Sequence, residues 1–148
     1  MRTVADILSS KAAPNNIISP NALVLEALEL MKATNLSYVI AMEAGELKGI
    51  FSERNYARNV ALEGKTSSTC PVREAMSKHL ITVTPEHTVE ECIHIILEQK
   101  SRYLPVKDDG RFLGVITIHD ILREALRSKE ALFDSTLTDR LIEEGGVY

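Results

Sequence analysis

The stretch RYLPVKDDGRFLGVITIHDI, running from Arg102 to Ile121, decides the fold because its periodicity changes partway along. Leu104 and Val106 alternate with their neighbours, Asp108-Asp109-Gly110 interrupts, and Phe112-Leu113 and Val115-Ile116 resume a β-rich run. Asp-Asp-Gly between two such runs predicts a hairpin, since glycine accepts positive φ and the Asp side chains bond their own backbone. Past Thr117 the apolar residues Ile121-Leu122 and Ala125-Leu126 recur at helical spacing, with Thr117 as the expected N-cap. A hydroxyl at Thr117 and a carboxylate at Asp120 then sit together at a helix N-terminus, where backbone N–H groups and the helix dipole favour anions. The pair has two readings. It is a capping motif that serves the helix alone, or a strand-to-helix corner that holds a hydroxylated, phosphorylated ligand.

A second copy of the corner bears on that choice. Pro85 and Pro20, Tyr103 and Tyr38, Gly110 and Gly45, Gly114 and Gly49, and Arg123 and Arg58 all stand 65 apart (85 − 20, 103 − 38 and so on), with the same order of elements between them. At that offset Ser52 matches Thr117 and Asn55 matches Asp120. An unbroken register of this kind marks an internal duplication of β-α-β-β-α units. In the first copy, Thr3 to Leu8 reads as a short helix capped by Thr3, Ser9 to Asn16 as a loop, and Ile17-Ile18 as a very short strand. A helix from an Asn21 cap to Thr34 follows, then strands Tyr38 to Ala41 and Leu47 to Phe51 around Ala44-Gly45, then a helix from Ser52 to Leu62 that Gly64 stops. After the polar connector Gly64 to Thr69 the pattern restarts. Pro71 to Met76 mirrors the first helix, and Ile81 to Pro85 mirrors Asn16 to Pro20.

The predicted fold class is therefore α/β (α+β): residues 1–66 form one unit including the N-terminal short helix, 67–128 a second, and 129–148 a helical tail. Each half is too small to bury much interior alone, so the halves are expected to pack about a pseudo-two-fold axis, with both corners around a shared cleft. The 148-residue chain has a hydrophobic share of 45%, ample for such a core. A net charge of -4 argues against a nucleic-acid partner. Neither an apolar leader nor a run of about 18 apolar residues is visible, which points to a cytoplasmic protein with no membrane contact. Cys70 and Cys92 read as buried thiols. His87, Glu91 and His94 share a helical face at metal-ligand spacing, but without an HExxH they read as a solvated face, and no metal is expected. No nucleophile-base pair or GxxxxGK[ST] loop is present, so no catalysis is expected.

The tandem units, each with a short strand ending in proline, an apolar helix, a strand like Tyr103-Leu104-Pro105-Val106, a turn and then G-h-h-[ST]-x-x-[DN], resemble the CBS domain pair (Bateman module) over roughly residues 3 to 128. The resemblance implies a regulatory module that binds adenosine nucleotides in the cleft between its units: AMP first, with ADP, ATP, NAD(H) or S-adenosylmethionine as alternatives. It implies Thr117 and Asp120 on the ribose, and Ile81, Thr82, Tyr103, Leu104 and Pro105 around the base. Arg102 would take the phosphate, and His119 would stand beside the ligand. The first copy would supply Ile17, Ile18, Ser37, Ser52 and Asn55, with Arg54 and Arg58 attracting extra phosphate charge. Asn55 replaces the family's acid, so a weaker or altered site is expected there. A homodimer and an unidentified regulated protein are the implied partners. The alternative is a structural or dimerisation module without a physiological nucleotide.

Overall fold

The structure, a computed structural model, describes residues 2–128; the helix expected in the tail lies outside the described residues. In chain order the elements are α1 (Val4–Ser9), β1 (Ile17–Ile18), α2 (Val24–Thr34), β2 (Tyr38–Glu43), β3 (Glu46–Ser52), α3 (Glu53–Tyr56) with a π-helical turn (Ala57–Ala61), α4 (Val72–Ala75), α5 (Val89–Gln99), β4 (Tyr103–Asp108), β5 (Arg111–Thr117) and α6 (Ile118–Ser128). Both small sheets are flanked by helices, the mixed α+β class expected from the sequence.

The compact units do not coincide with the sequence repeat. One unit is Pro14–Leu80, here the first unit; the other, the second unit, joins the N-terminal segment up to residue 13 to the chain from residue 81. The short helices are thus exchanged relative to the 1–66 and 67–128 boundaries. Val4 N–H donates to the His87 carbonyl (2.9 Å), Ala5 N–H to Pro85 (3.0 Å), and Val89 N–H to Arg2 (3.1 Å), which tie α1 to the start of α5. In the first unit α4 takes the corresponding place, with Val72 N–H donating to Ala22 and Val24 N–H to Cys70, both at 2.8 Å.

Each unit has its own core. The second unit's centres on Val4, Val89, Ile93, Leu104, Val106, Ile116 and Ile121; the first unit's on Val24, Val39, Phe51, Val60 and Val72. Burying each such side chain is worth roughly 1.5–3 kcal/mol. In α5 the apolar residues at Val89, Cys92-Ile93 and Ile96-Leu97 fall on one buried stripe, as the 3.6-residue period dictates. Its N-terminus is closed by Thr88, whose hydroxyl accepts from Glu91 N–H (3.1 Å) while Glu91 accepts from Thr88 N–H (3.0 Å). The bond from Thr88 N–H, with the Thr88 side chain next to it, holds the Glu91 carboxyl below the usual carboxylate value. His87 Nδ1 accepts from Thr84 N–H at 3.0 Å, so two of the three residues at metal-ligand spacing are occupied with the turn and cap that start α5.

β2 and β3 pair antiparallel, with β1 parallel to β2; β4 and β5 pair antiparallel. Both hairpins carry a register shift at the same point, Ala41/Met42 and Val106/Lys107. Three expectations are corrected. The strand foreseen at Ile81 to Pro85 shrinks to one bridge, Val83 beside Val106, with Val83 N–H on Pro105 O and Lys107 N–H on Val83 O, both 2.9 Å. α2 starts after Leu23, not at an Asn21 cap: Glu26 reaches back to Leu23 N–H (2.7 Å), while Asn21 accepts from Arg73 and donates to Glu43. The helix after Ser52 passes into a π-helical turn where a regular helix was expected.

Both hairpin turns place two residues at positive φ, Ala44 (53°) with Gly45 (77°) and Asp109 (49°) with Gly110 (79°), the backbone of a type I′ turn. Alanine gains nothing from that conformation, whereas asparagine tolerates it by local hydrogen bonding. Ala44→Asn is therefore expected to stabilise the protein by about 0.5–1 kcal/mol. Urea denaturation checks this; an unchanged or lower midpoint refutes it.

Candidate functional site

The corner of the second unit forms where β5 runs into α6. Thr117 lies opposite Tyr103 in the hairpin, and Ile118 N–H donates to the Arg102 carbonyl (3.1 Å), which fixes the angle at which the helix leaves the strand. Thr117 Oγ1 accepts from Asp120 N–H at 3.2 Å and Asp120 Oδ2 accepts from Thr117 N–H at 2.9 Å, the reciprocal capping arrangement. Both side chains are nearly buried, at 9% and 7% exposure. A buried carboxylate needs compensation, and it comes from a residue the sequence reading passed over. Lys11, in the loop after α1, places its Nζ 2.7 Å from Asp120 Oδ2 and 2.8 Å from the Val115 carbonyl. Arg123 Nη1 makes only a long contact, 3.4 Å, with Asp120 Oδ1.

The corner of the first unit repeats this geometry with neutral groups. Asn55 N–H donates to Ser52 Oγ (3.2 Å), and Asn55 Oδ1 accepts from Ser52 N–H (2.9 Å) and Ser52 Oγ (3.0 Å). Glu53 N–H donates to the Ser37 carbonyl at 3.0 Å, the counterpart of the bond between Ile118 and Arg102. Here the corner side chain meets Ser77, not a lysine: Asn55 Nδ2 donates to Ser77 Oγ (3.1 Å), and Ser77 pairs through its backbone with Ile50 (2.8 and 3.1 Å). Val115 and Ile50 are equivalent at the repeat offset (115 − 50 = 65). Lys11 and Ser77 thus serve the same strand position and the same corner position. Asp120 is an acid where its neighbour is a cation, and Asn55 an amide where its neighbour is a hydroxyl.

The remaining predicted site residues divide by exposure. Ile17 (47%) and Ile81 (46%) are exposed apolar residues, Thr82 is exposed, and Ile18 and Tyr103 are half-buried. Arg54, Arg58 and His119 lie on exposed positions after their corners; Arg102 and Ser37 are half-buried beside theirs. Leu104 is fully buried, at 0% exposure, in the second unit's core with Val106 and Ile116. Pro105 is buried as well. A length difference is the signal for Lys11: Val4 to Pro20 spans three residues more than Val72 to Pro85 (16 against 13), a surplus divided between the longer α1 and the loop after it.

Both cysteines are buried, and burial pushes both thiols up, Cys92 to about 12. Among the described residues, no cluster of His, Cys, Asp and Glu is placed to hold a metal ion, and no helix is long and apolar enough to cross a membrane.

An α+β chain that twice builds the same hairpin, closes it with the same hydroxyl-and-acid or hydroxyl-and-amide corner and packs a short helix beside it is a tandem-repeat protein. The sequence profile of the CBS domain matches residues 4–61 and 72–127, and the chain belongs to the CBS domain family. It is 28% identical over 131 residues to the CBS domain-containing protein YhcV of Bacillus subtilis (strain 168), spanning 88% of this chain and 91% of that one. Its fold is similar to that of a CBS-domain protein from Burkholderia ambifaria MC40-6 (TM-score 0.80, 29% identity, 90% of this chain and 98% of that one). It is also similar to CBSX2 solved in complex with AMP (TM-score 0.72, 26% identity, 88% and 100%).

Proposed function

We propose that this protein is a non-catalytic regulatory module that binds an adenosine nucleotide, with AMP at the Thr117/Asp120 corner. The observation that carries the reading is the corner itself: a hydroxyl and a carboxylate, both nearly buried, held by their own cap at a helix start with a cation alongside. A carboxylate accepts from ribose hydroxyls through charge-assisted bonds worth about 1.5–3 kcal/mol each. The similarity to a structure that holds AMP supports the same ligand class. Arg102, half-buried at the start of β4, is the proposed phosphate partner; its backbone carbonyl receives Ile118 N–H, which keeps the residue next to the corner. At the Ser52/Asn55 corner the neutral amide makes a weaker site, where a longer ligand such as ATP or NAD(H) reaches toward Arg54 or Arg58. The protein works as a homodimer in the cytoplasm and passes the nucleotide signal to a regulated protein. The second reading, an interaction module without a nucleotide, draws on the reciprocal capping bonds at both corners, a role that serves the helix starts alone.

Titration calorimetry with AMP, adenosine, ADP, ATP, NADH and S-adenosylmethionine separates the two. AMP is expected to bind, and more weakly as salt rises, because exposed phosphate contacts are screened. Adenosine, with base and ribose intact, is expected to bind more weakly and with little salt dependence. If adenosine equals AMP at low salt, the arginines form a solvated face and the phosphate contact is lost from the reading. If nothing binds, the interaction module stands.

A further inference from the structure

A lysine ammonium has three N–H donors and no acceptor. Lys11 spends two, on the Val115 carbonyl (2.8 Å) and Asp120 Oδ2 (2.7 Å), and its side chain is 30% exposed. Oδ2 also accepts from Thr117 N–H, so both its lone-pair directions are filled. Among the described residues, Oδ1 has only the 3.4 Å contact from Arg123, whose side chain is 58% exposed. Thr117 Oγ1 accepts from Asp120 N–H and keeps its own hydroxyl proton. An arriving ligand therefore meets one carboxylate acceptor, one hydroxyl and one ammonium N–H, a set with donors and an acceptor side by side. A vicinal diol complements it: one hydroxyl donates to Asp120 Oδ1, and the oxygen of the other accepts from Lys11.

We propose that Lys11 is a direct ligand contact of the Thr117/Asp120 corner, and that it selects a sugar carrying both vicinal hydroxyls over a deoxy sugar. The inference rests on the adenosine-nucleotide reading above. It also separates the two corners chemically: Ser77 supplies no ammonium at the Asn55 corner, where Asn55 Nδ2 already takes the Ser77 hydroxyl oxygen. Lys11 comes from a segment far from the corner in sequence, 109 residues before Asp120, and belongs to the same compact unit.

The test is calorimetry of AMP, adenosine, 2′-deoxy-AMP and 3′-deoxy-AMP on the full chain, as wild type, Lys11→Met and Lys11→Arg, each checked for folding by thermal melting. Lys11→Met is expected to weaken AMP and adenosine by the same factor, about tenfold. The deoxy analogue lacking the hydroxyl that Lys11 holds is expected to bind wild type and Lys11→Met equally, and Lys11→Arg, which keeps a donor, to recover part of the AMP affinity. The proposal is overturned if Lys11→Met weakens every analogue alike (a purely structural role), weakens AMP but not adenosine (a phosphate partner), or tightens AMP (a competitor for Asp120). Should Lys11→Met not fold, wild type alone decides: because one hydroxyl goes to Asp120 and the other to Lys11, both deoxy analogues must bind more weakly than AMP, and either one binding as tightly refutes the selection. Absence of all nucleotide binding to wild type, by contrast, removes the function on which the proposal rests.

Discussion

Gly49→Ala is expected to destabilise the protein by about 3 kcal/mol. A Cβ at this position would lie 2.6 Å from the Ser77 carbonyl oxygen, 2.7 Å from Met76 Sδ and 2.9 Å from Met76 Cγ. The thioether of Met76 has rotamers to give, but the Ser77 oxygen is backbone, and it moves only if the chain after α4 moves with it. That movement breaks the reciprocal pair between Ile50 and Ser77 and takes away the hydroxyl that receives Asn55. Overpacking of this sort costs roughly 1–3 kcal/mol, and each broken hydrogen bond adds about 1. Gly45→Ala is the control. Nothing lies within 4 Å of its Cβ, and its φ of 77° carries only the left-handed penalty, about 1–2 kcal/mol. Urea denaturation of the two variants should show the Gly49 midpoint well below the Gly45 one; a Gly49→Ala protein within 0.5 kcal/mol of wild type would show that α4 yields freely.

The repeat, both hairpins and both corners were legible because each rests on local chemistry. Asp109-Gly110 and Ala44-Gly45 announce their turns by the need for positive φ, and the capping pairs Thr117/Asp120 and Ser52/Asn55 lie three residues apart, within reach of any reading of helix starts. What escaped the sequence was long-range. Periodicity reports which face of α1 is apolar but not which copy that face will cover, and Val4 and Ile7 pack with Val89 and Ile121 rather than with the residues that follow them. Lys11 was hidden for the same reason. It sits in a loop of Ser, Lys, Ala and Pro with no period, and only the exchanged position of α1 brings it to Asp120. The strand foreseen at Ile81 to Pro85 failed differently: alternation there is real, but only Val83 is bridged to β4.

Asp120→Ala is expected to weaken AMP binding about tenfold to a hundredfold, the equivalent of roughly 1.5–3 kcal/mol for a lost charge-assisted contact. The same carboxylate caps α6 and faces Lys11, so the substitution also removes an N-cap partner, which costs about 1 kcal/mol of stability, and leaves an ammonium without its acid. Affinity must therefore be read well below the variant's melting temperature. Asp120→Asn separates the two effects. Its amide oxygen still accepts from Thr117 N–H, as Asn55 accepts from Ser52 N–H at 2.9 Å in the other unit, so the cap returns; the charge does not. Stability should recover in Asp120→Asn while most of the loss in affinity remains. Asn55→Ala, which removes a neutral group already bonded to Ser77, should cost less affinity than Asp120→Ala. Calorimetric titration of the three variants decides the matter. Equal losses at Asp120 and Asn55, or no loss at Asp120, would leave both corners as helix caps and nothing more.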